Sequence, residues 1–294
     1  MIHLQIAANG LVLGGLYACI AVGFSLVWGV TNIINMLHGS FIVVGAYAAF
    51  FAYQNLGILP FATLPLIAVI MFGVGYVLQR ALISRVIGAT VLITLTLTFG
   101  LNLILENALL VAFKADYRKL NLAHPLGVFD LRDYADWLDV VVPVDRLVCT
   151  VVAVLLVTAV YLFLRFTNIG RAVVAVRMDG RAAALMGVEV NHIYAITFGI
   201  GAAIAAATGT LFSVIFPISP LMSSSFLGKS FVICVLGGLG SIPGVLVGGF
   251  VLGLVESFGA AMFGSEHSLT ISFALLLFLM VVRPTGLMGS KAFQ

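Results

Sequence analysis

Thr94, Thr98, Asn102 and Glu106 recur every four residues inside an otherwise apolar run. That spacing keeps all four on one helical face with a gradual drift. An ionisable group inside an apolar span is costly and usually faces a bundle interior or a water-filled path. Glu106, in the outer half of its run, therefore marks a candidate path for a polar solute, and Glu256 is the other acid placed comparably deep. The hydroxyls of Thr94 and Thr98 have an alternative use, back-bonding to carbonyls of their own helix. Asn35 and His38, in the turn TNIINMLHG (31–39), join the candidate pathway set. The same two residues can cap or hinge that turn, with His38 held by a structural hydrogen bond.

A different chemistry is offered by Gly170 to His192, GRAVVAVRMDGRAAALMGVEVNH, a short polar segment between two long apolar runs. Arg171, Arg177 and Arg181 stand there against only Asp179 and Glu189, and a surplus of Arg marks a cytoplasmic loop. Asp179 is a good N-cap for a short helix through Arg181, Ala182, Ala183, Ala184, Leu185 and Met186, and Gly187 can supply the left-handed residue that stops it. Ala183, Ala184, Leu185 and Met186 would then present a compact apolar surface for a partner, with Arg177 and Arg181 forming charge-assisted hydrogen bonds at its rim. Composition alone favours an ordinary topology signal.

The elements that position these residues follow from hydropathy. With 62% hydrophobic and 9% charged residues and a mean hydropathy of +1.22, the 294-residue chain reads as an all-α polytopic membrane protein. Apolar runs at about 6–30, 38–54, 60–83, 90–112, 147–166, 193–215, 229–240, 243–263 and 268–282 predict nine transmembrane segments, with eight or ten as alternatives. The run at 229–240 is shorter than the roughly 20 residues a straight span needs, so a half-helix buried against its neighbours is an option. No formally charged side chain precedes Arg80. Arg80 and Arg85 place the 80–89 connection in the cytoplasm, which puts the N-terminus outside and, by parity, the C-terminus inside with Arg283 and Lys291. Residues 1–294 form a single transmembrane domain, with an outer loop at about 113–146 and a cytoplasmic coupling loop at about 168–192. In the outer loop Asp130, Asp133, Asp136 and Asp139, near Tyr134 and Trp137, suggest a landing surface for a partner, or an ordinary solvated loop.

Small residues form a further pattern. Gly240, Gly244 and Gly248, followed by Gly249 and Gly253, and separately Gly201, Ala205 and Gly209, give faces that let helix backbones approach closely. Two apparent nucleotide motifs are coincidental. Gly228, Lys229 and Ser230 look like the end of a phosphate loop, but Ser223 stands where its first glycine belongs and no strand precedes it. In GGLGSIPG, Pro243 occupies the place of the third glycine of a dinucleotide fingerprint. Cys19, Cys149 and Cys234 are widely separated, have no metal-binding or redox spacing and read as small buried hydrophobes. The net charge of +3 lies mostly in the polar loop and at span ends, so no nucleic-acid surface is implied.

NIINMLHGSFIVVGAY (32–47), TNIGRAVVAVRMDGRAAALMGVEV (167–190), KSFVICVLGGLGSIPGVLVGG (229–249) and RPTGLMG (283–289) together resemble the LivH-type permeases of branched-chain amino-acid ABC importers, in the same order and across essentially the whole chain. The resemblance implies a multi-pass permease of the bacterial inner membrane, surrounded by lipid. Its implied partners are a second, LivM-like permease, two cytoplasmic ABC ATPases and a periplasmic solute-binding protein. It also implies that the stretch matching 170–190 contacts the ATPases. The chain itself would be no enzyme and need no cofactor, ATP being bound by the partner subunits. Similar permeases serve urea and short amides, which leaves the solute open, and an ion-coupled secondary transporter is a rival reading from a different class. Under the importer reading, the Glu106 carboxylate would meet a substrate ammonium, and the small-residue faces around Gly201–Gly209 and Gly240–Gly253 would pack against the second permease.

Overall fold

A backbone in lipid must satisfy its own hydrogen bonds, so the long apolar runs become helices, and Pro and Gly fall where they start and stop. The computed structural model describes residues 2–120, 127–130, 140–283 and 286–288. Among these the helices are α1 (Ile2–Thr31), α2 (His38–Leu56), α3 (Pro60–Ala81), α4 (Val91–Phe113), α5 (Val144–Phe166), α6 (Asn168–Met178), α7 (Gly180–Leu185), α8 (Val190–Ile215), α9 (Ser223–Gly237), α10 (Ile242–Phe263) and α11 (Ser268–Val282). Pro60 opens α3 and Pro243 lies in the first turn of α10, where a missing N–H costs nothing. Between α4 and α5 a short antiparallel ribbon pairs β1 (Val128–Asp130) with β2 (Val141–Pro143).

Eight of the described helical stretches are long and apolar enough to cross a membrane. The eight do not include α2, which is wrapped by protein: Phe41, Ile42, Val43, Ala46 and Tyr47 are all buried. Eight candidate spans fall within the expected eight to ten, and the chain is an all-α polytopic membrane protein; α2 is the one of the nine expected segments not among them. One expected segment needs correction. Most of the short run at 229–240 belongs to a longer helix that ends at Gly237, because Ser223–Phe226, expected in an outer loop, are helical. With the preceding 3-10 turn at Pro220–Met222 the element reaches 18 residues. Ser223 and Phe226 are buried there, so protein contacts make up for the low hydropathy of Ser223.

Packing sorts the helices into two classes. In α1 and α8, 89% and 83% of the most apolar window is buried, against 11% in α4 and in α11. Small residues explain the difference. A Cβ placed on Gly209 of α8 would lie 1.8 Å from the carbonyl oxygen of Ile42 in α2, and one on Gly253 of α10 would lie 2.5 Å from the carbonyl oxygen of Gly10 in α1. Gly249 meets the Ala18 backbone and Gly23 the Gly201 carbonyl in the same way. The small-residue faces expected to pack against a second permease are therefore consumed inside this chain. Backbone-to-backbone contact of this kind needs a complementary surface at van der Waals distance, and the chain supplies both halves itself.

Cys19, Cys149 and Cys234 are free and buried, as expected of small hydrophobes. Asp133, Tyr134, Asp136, Trp137 and Asp139 lie outside the described residues, as does Lys291. Of that acidic group only Asp130 is placed, and through its backbone in β1.

Candidate functional site

The polar stripe of α4 turns inward. Thr94, Thr98 and Leu109 are the buried residues of that helix. Thr94 Oγ1 donates only to the Val91 carbonyl at 2.9 Å, the back-bonded use weighed above. Thr98 Oγ1 donates across the helix boundary to the Ile34 carbonyl at 2.9 Å as well as to Leu95. Further along, Ser40 Oγ at the start of α2 donates to Asn102 Oδ1 at 2.6 Å, and Asn102 Nδ2 reaches Glu106 Oε2 at 3.4 Å. Three of the four stripe residues thus meet the 34–40 segment or extend the chain that starts there. Glu106 is half-buried, and no ion pair reaches it among the described residues.

Asn35 and His38 shape that segment. Asn35 Oδ1 accepts the N–H of Leu37 at 3.1 Å, one step ahead of α2. His38 Nε2 lies 2.7 Å from the Ile20 carbonyl in the middle of α1. A carbonyl only accepts, so Nε2 carries the proton and His38 makes the structural bond expected of it. Its Nδ1 and the Asn35 Nδ2 are buried without a hydrogen-bond partner among the described residues.

The segment expected to be a loop at 168–192 is two helices. Thr167 opens α6, its Oγ1 accepting the Gly170 N–H at 2.9 Å. A Cβ on Gly170 would lie 2.2 Å from the Phe163 carbonyl, so only glycine permits the sharp turn out of α5. Asp179 then caps α7 as its spacing predicts, Oδ1 accepting the N–H groups of Arg181 at 2.8 Å and Ala182 at 3.0 Å. The N–H groups of Ala182 and Arg181 hold its carboxyl below the usual carboxylate range. Gly187 has φ +87°, its N–H bonds the Ala184 carbonyl, and the Val188 N–H bonds the Ala183 carbonyl. That double closure is the Schellman ending, which needs a left-handed residue at this position.

Two of the residues expected on the docking surface sit elsewhere. Ala183 is buried as part of the hydrophobic core. The Arg177 side chain turns away from the rim into the protein, where Nη1 donates to the Gly240 carbonyl at 2.6 Å. Gly240 has φ +76°, and a Cβ there would meet Arg177 Nη2 at 2.8 Å. Partial burial lowers the Arg177 pKa from its ordinary value, and a guanidinium stays charged regardless. What α7 does present is Ala184, Leu185 and Met186, with Met178 beside them; Leu185 and Met186 are 89% and 86% exposed. Arg181 is exposed next to this apolar knob, and Arg171 is exposed with its guanidinium bonded to Asn168 Oδ1.

Sequence reasoning missed one constellation. Lys229 Nζ of α9 forms an ion pair with Glu256 Oε1 of α10 at 2.6 Å and bonds Tyr17 Oη of α1, also at 2.6 Å. It also lies 4.6 Å from the Tyr17 ring centroid, and the Ser268 hydroxyl at the start of α11 donates to the same Glu256 oxygen. The available signal was two opposite charges, each alone in a separate apolar run, which a low-dielectric interior drives to pair.

Residues 6–282 match the family model described as branched-chain amino acid transport system / permease component. The chain is 33% identical to the high-affinity branched-chain amino acid transport system permease protein BraD of Pseudomonas aeruginosa, covering 98% of this chain and 96% of that protein. It is 32% identical to the permease protein LivH of Escherichia coli over 97% of this chain and 95% of that one. The permease protein LivM of Salmonella typhimurium is 26% identical, with 93% of this chain covering 68% of it. No solved structure matches. The chain is a multi-pass membrane protein and belongs to the branched-chain amino acid transport system permease family.

Proposed function

We infer that this chain is one membrane subunit of an ABC importer of the bacterial inner membrane, moving branched-chain or related neutral amino acids into the cytoplasm. ATP is hydrolysed on two partner ATPases, a second LivM-like permease completes the pathway, and a periplasmic protein delivers the solute. The observation that carries this reading is the capped knob of α7, whose large apolar side chains stand in solvent on a rigid support. An isolated apolar knob between spans is explained by a partner that covers it. In this orientation α7 and the C-terminus face the cytoplasm and the N-terminus faces outside.

Motion imposed on α7 has two routes into the membrane. One runs through Val188 and Glu189 into α8. The other runs through α6 and the Arg177 bond to Gly240 into the turn that opens α10. The half-buried Glu106, reached through Ser40 and Asn102, then receives the solute's ammonium, while its apolar side chain is left to other surfaces. Because α7 is held by a cap and a left-handed glycine, Asp179→Ala and Gly187→Val will insert normally yet separate ATP hydrolysis from uptake, or release the ATPases. Reconstitution with ATPases, binding protein and labelled leucine, with urea as the competing solute, reads both outcomes. Wild-type coupled uptake in both variants would reduce α7 to a topology signal. A pH series adds a sign. The Asp179 carboxyl has a lowered folded-state pKa, so its contribution is fully present above the unfolded carboxylate pKa and fades as pH falls through the folded value. ATPase retention will be flat from neutral to mildly acidic pH and fall only below the ordinary carboxylate range, and Asp179→Asn will remove that dependence.

A further inference from the structure

At the foot of α5 and α10, beside the Arg177–Gly240 contact, lies a cleft of about 560 Å³. Three arginines line it, Arg165, Arg171 and Arg177, together with Gly240 and Ser241 where α10 begins, and no carboxylate residue is among its described lining residues. The arginines are held by neutral groups. Arg165 Nη1 bonds Tyr161 Oη at 3.2 Å, Arg171 bonds the Asn168 side-chain carbonyl, and Arg177 bonds the Gly240 carbonyl. None of these bonds cancels charge, and each guanidinium keeps further N–H donors for an anion. A second cleft of about 300 Å³ continues from the first, sharing Tyr161, Ile242 and Pro243 and adding Val157 and Leu246. It runs along the groove between α5 and α10 toward the middle of both spans and is almost wholly apolar; the Thr158 hydroxyl there is already bonded to the Val154 carbonyl.

A cationic chamber at the end of the spans, opening into an apolar furrow between two membrane helices, matches an anionic amphiphile. We propose that this double cleft binds one anionic phospholipid, its phosphate among Arg165, Arg171 and Arg177 and an acyl chain in the α5–α10 furrow. A free phosphate or nucleotide would satisfy the arginines but would have no use for the furrow. A zwitterionic lipid would fill the furrow but leave the surplus positive charge unanswered. The site rests on the proposed orientation only in assigning the lipid to the cytoplasmic leaflet, where anionic headgroups attract basic clusters. Through Arg177 the headgroup would touch the joint that links α6 to α10.

The test uses the assembled transporter with its partner subunits, exchanged into nanodiscs containing phosphatidylglycerol, phosphatidylcholine or an equal mixture, and native mass spectrometry after detergent release. Selective retention of phosphatidylglycerol by the wild-type complex is expected. Arg165→Gln combined with Arg171→Gln should lower that retention at least fivefold, and Leu246→Trp, which fills the furrow without touching the charge, should do the same. Assembly of each variant is verified from the same spectra. The proposal is overturned by equal retention of the two lipids, by retention unchanged in Leu246→Trp, or by displacement of the lipid with millimolar inorganic phosphate. Absence of bound lipid because the second permease fills the cleft overturns it equally. Lipid retention is read without transport, so a chain that carried a different solute would still give these results.

Discussion

Glu106 and Glu256 both lie well inside membrane-spanning helices, yet the fold treats them in opposite ways. Glu256 is buried against Lys229 at 2.6 Å and joined by Ser268, with Tyr17 completing the lysine's contacts. Four helices, α1, α9, α10 and α11, meet at that pair. Glu106 sits half-buried on α4, a lightly packed outer helix, and its contact is a single amide at 3.4 Å. An acid neutralised within its own chain serves as a clasp. Glu106 is instead left with one weak neutral contact on a polar stripe. The same residue type in the same medium is therefore paired in one place and left without an ionic partner among the described residues in the other.

The largest expected effect tests the clasp. Lys229→Met leaves Glu256 as an uncompensated buried charge, a class of change that costs about 3–5 kcal/mol, and should sharply lower thermal stability in detergent and yield in the membrane. Replacing both partners, Lys229→Met with Glu256→Leu, should recover most of that loss, because two well-packed apolar groups need no pairing. A single variant as stable as the wild type would erase the distinction between the two acids. Next comes Glu106→Gln, which should leave the melting temperature unchanged while lowering reconstituted uptake about tenfold, equivalent to about 1.4 kcal/mol in the barrier. If stability falls and uptake per folded molecule does not, Glu106 belongs with Glu256 as a packing residue. The smallest contrast lies within the stripe itself. Thr98→Val removes the hydroxyl bonded to Ile34 and should cost about 1 kcal/mol, whereas Thr94→Val removes only a back-bond and should stay within about 0.5 kcal/mol. A reversed order in chemical or thermal unfolding would show that the stripe does not face the 34–40 segment.

What could be read without coordinates was local. The cap at Asp179 and the left-handed Gly187 are set by backbone hydrogen bonds among residues two to five apart, so the order of residue types alone specifies α7. The inward face of Thr94, Thr98 and Asn102 follows from the helical period, and all the long apolar runs became helices because lipid permits nothing else. The same rule overreached at its margins. Hydropathy placed Ser223–Phe226 in a loop, and the polarity of Gly170–Met178 hid the helix α6. In both places tertiary contact or a side-chain cap, rather than apolarity, sustains the turns.

Which helices touch could not be read from the chain, because pairing depends on which faces meet and at what crossing, and no spacing in sequence encodes it. Gly209 against Ile42 and Gly253 against Gly10 use up faces that, on pattern alone, were equally suited to another subunit. Lys229 and Glu256 are 27 positions apart on separate helices, and only the packing of α9 on α10 turned two isolated charges into a pair. Arg177 is the clearest case. Residue type and position in a polar segment assign it to a rim, but the turn at Gly240 offers an open carbonyl within reach, and a half-buried guanidinium is held where it finds an acceptor. The chain's sequence determined a membrane-spanning helical permease with a capped α7; tertiary structure decided which charges face one another and which are left for a partner.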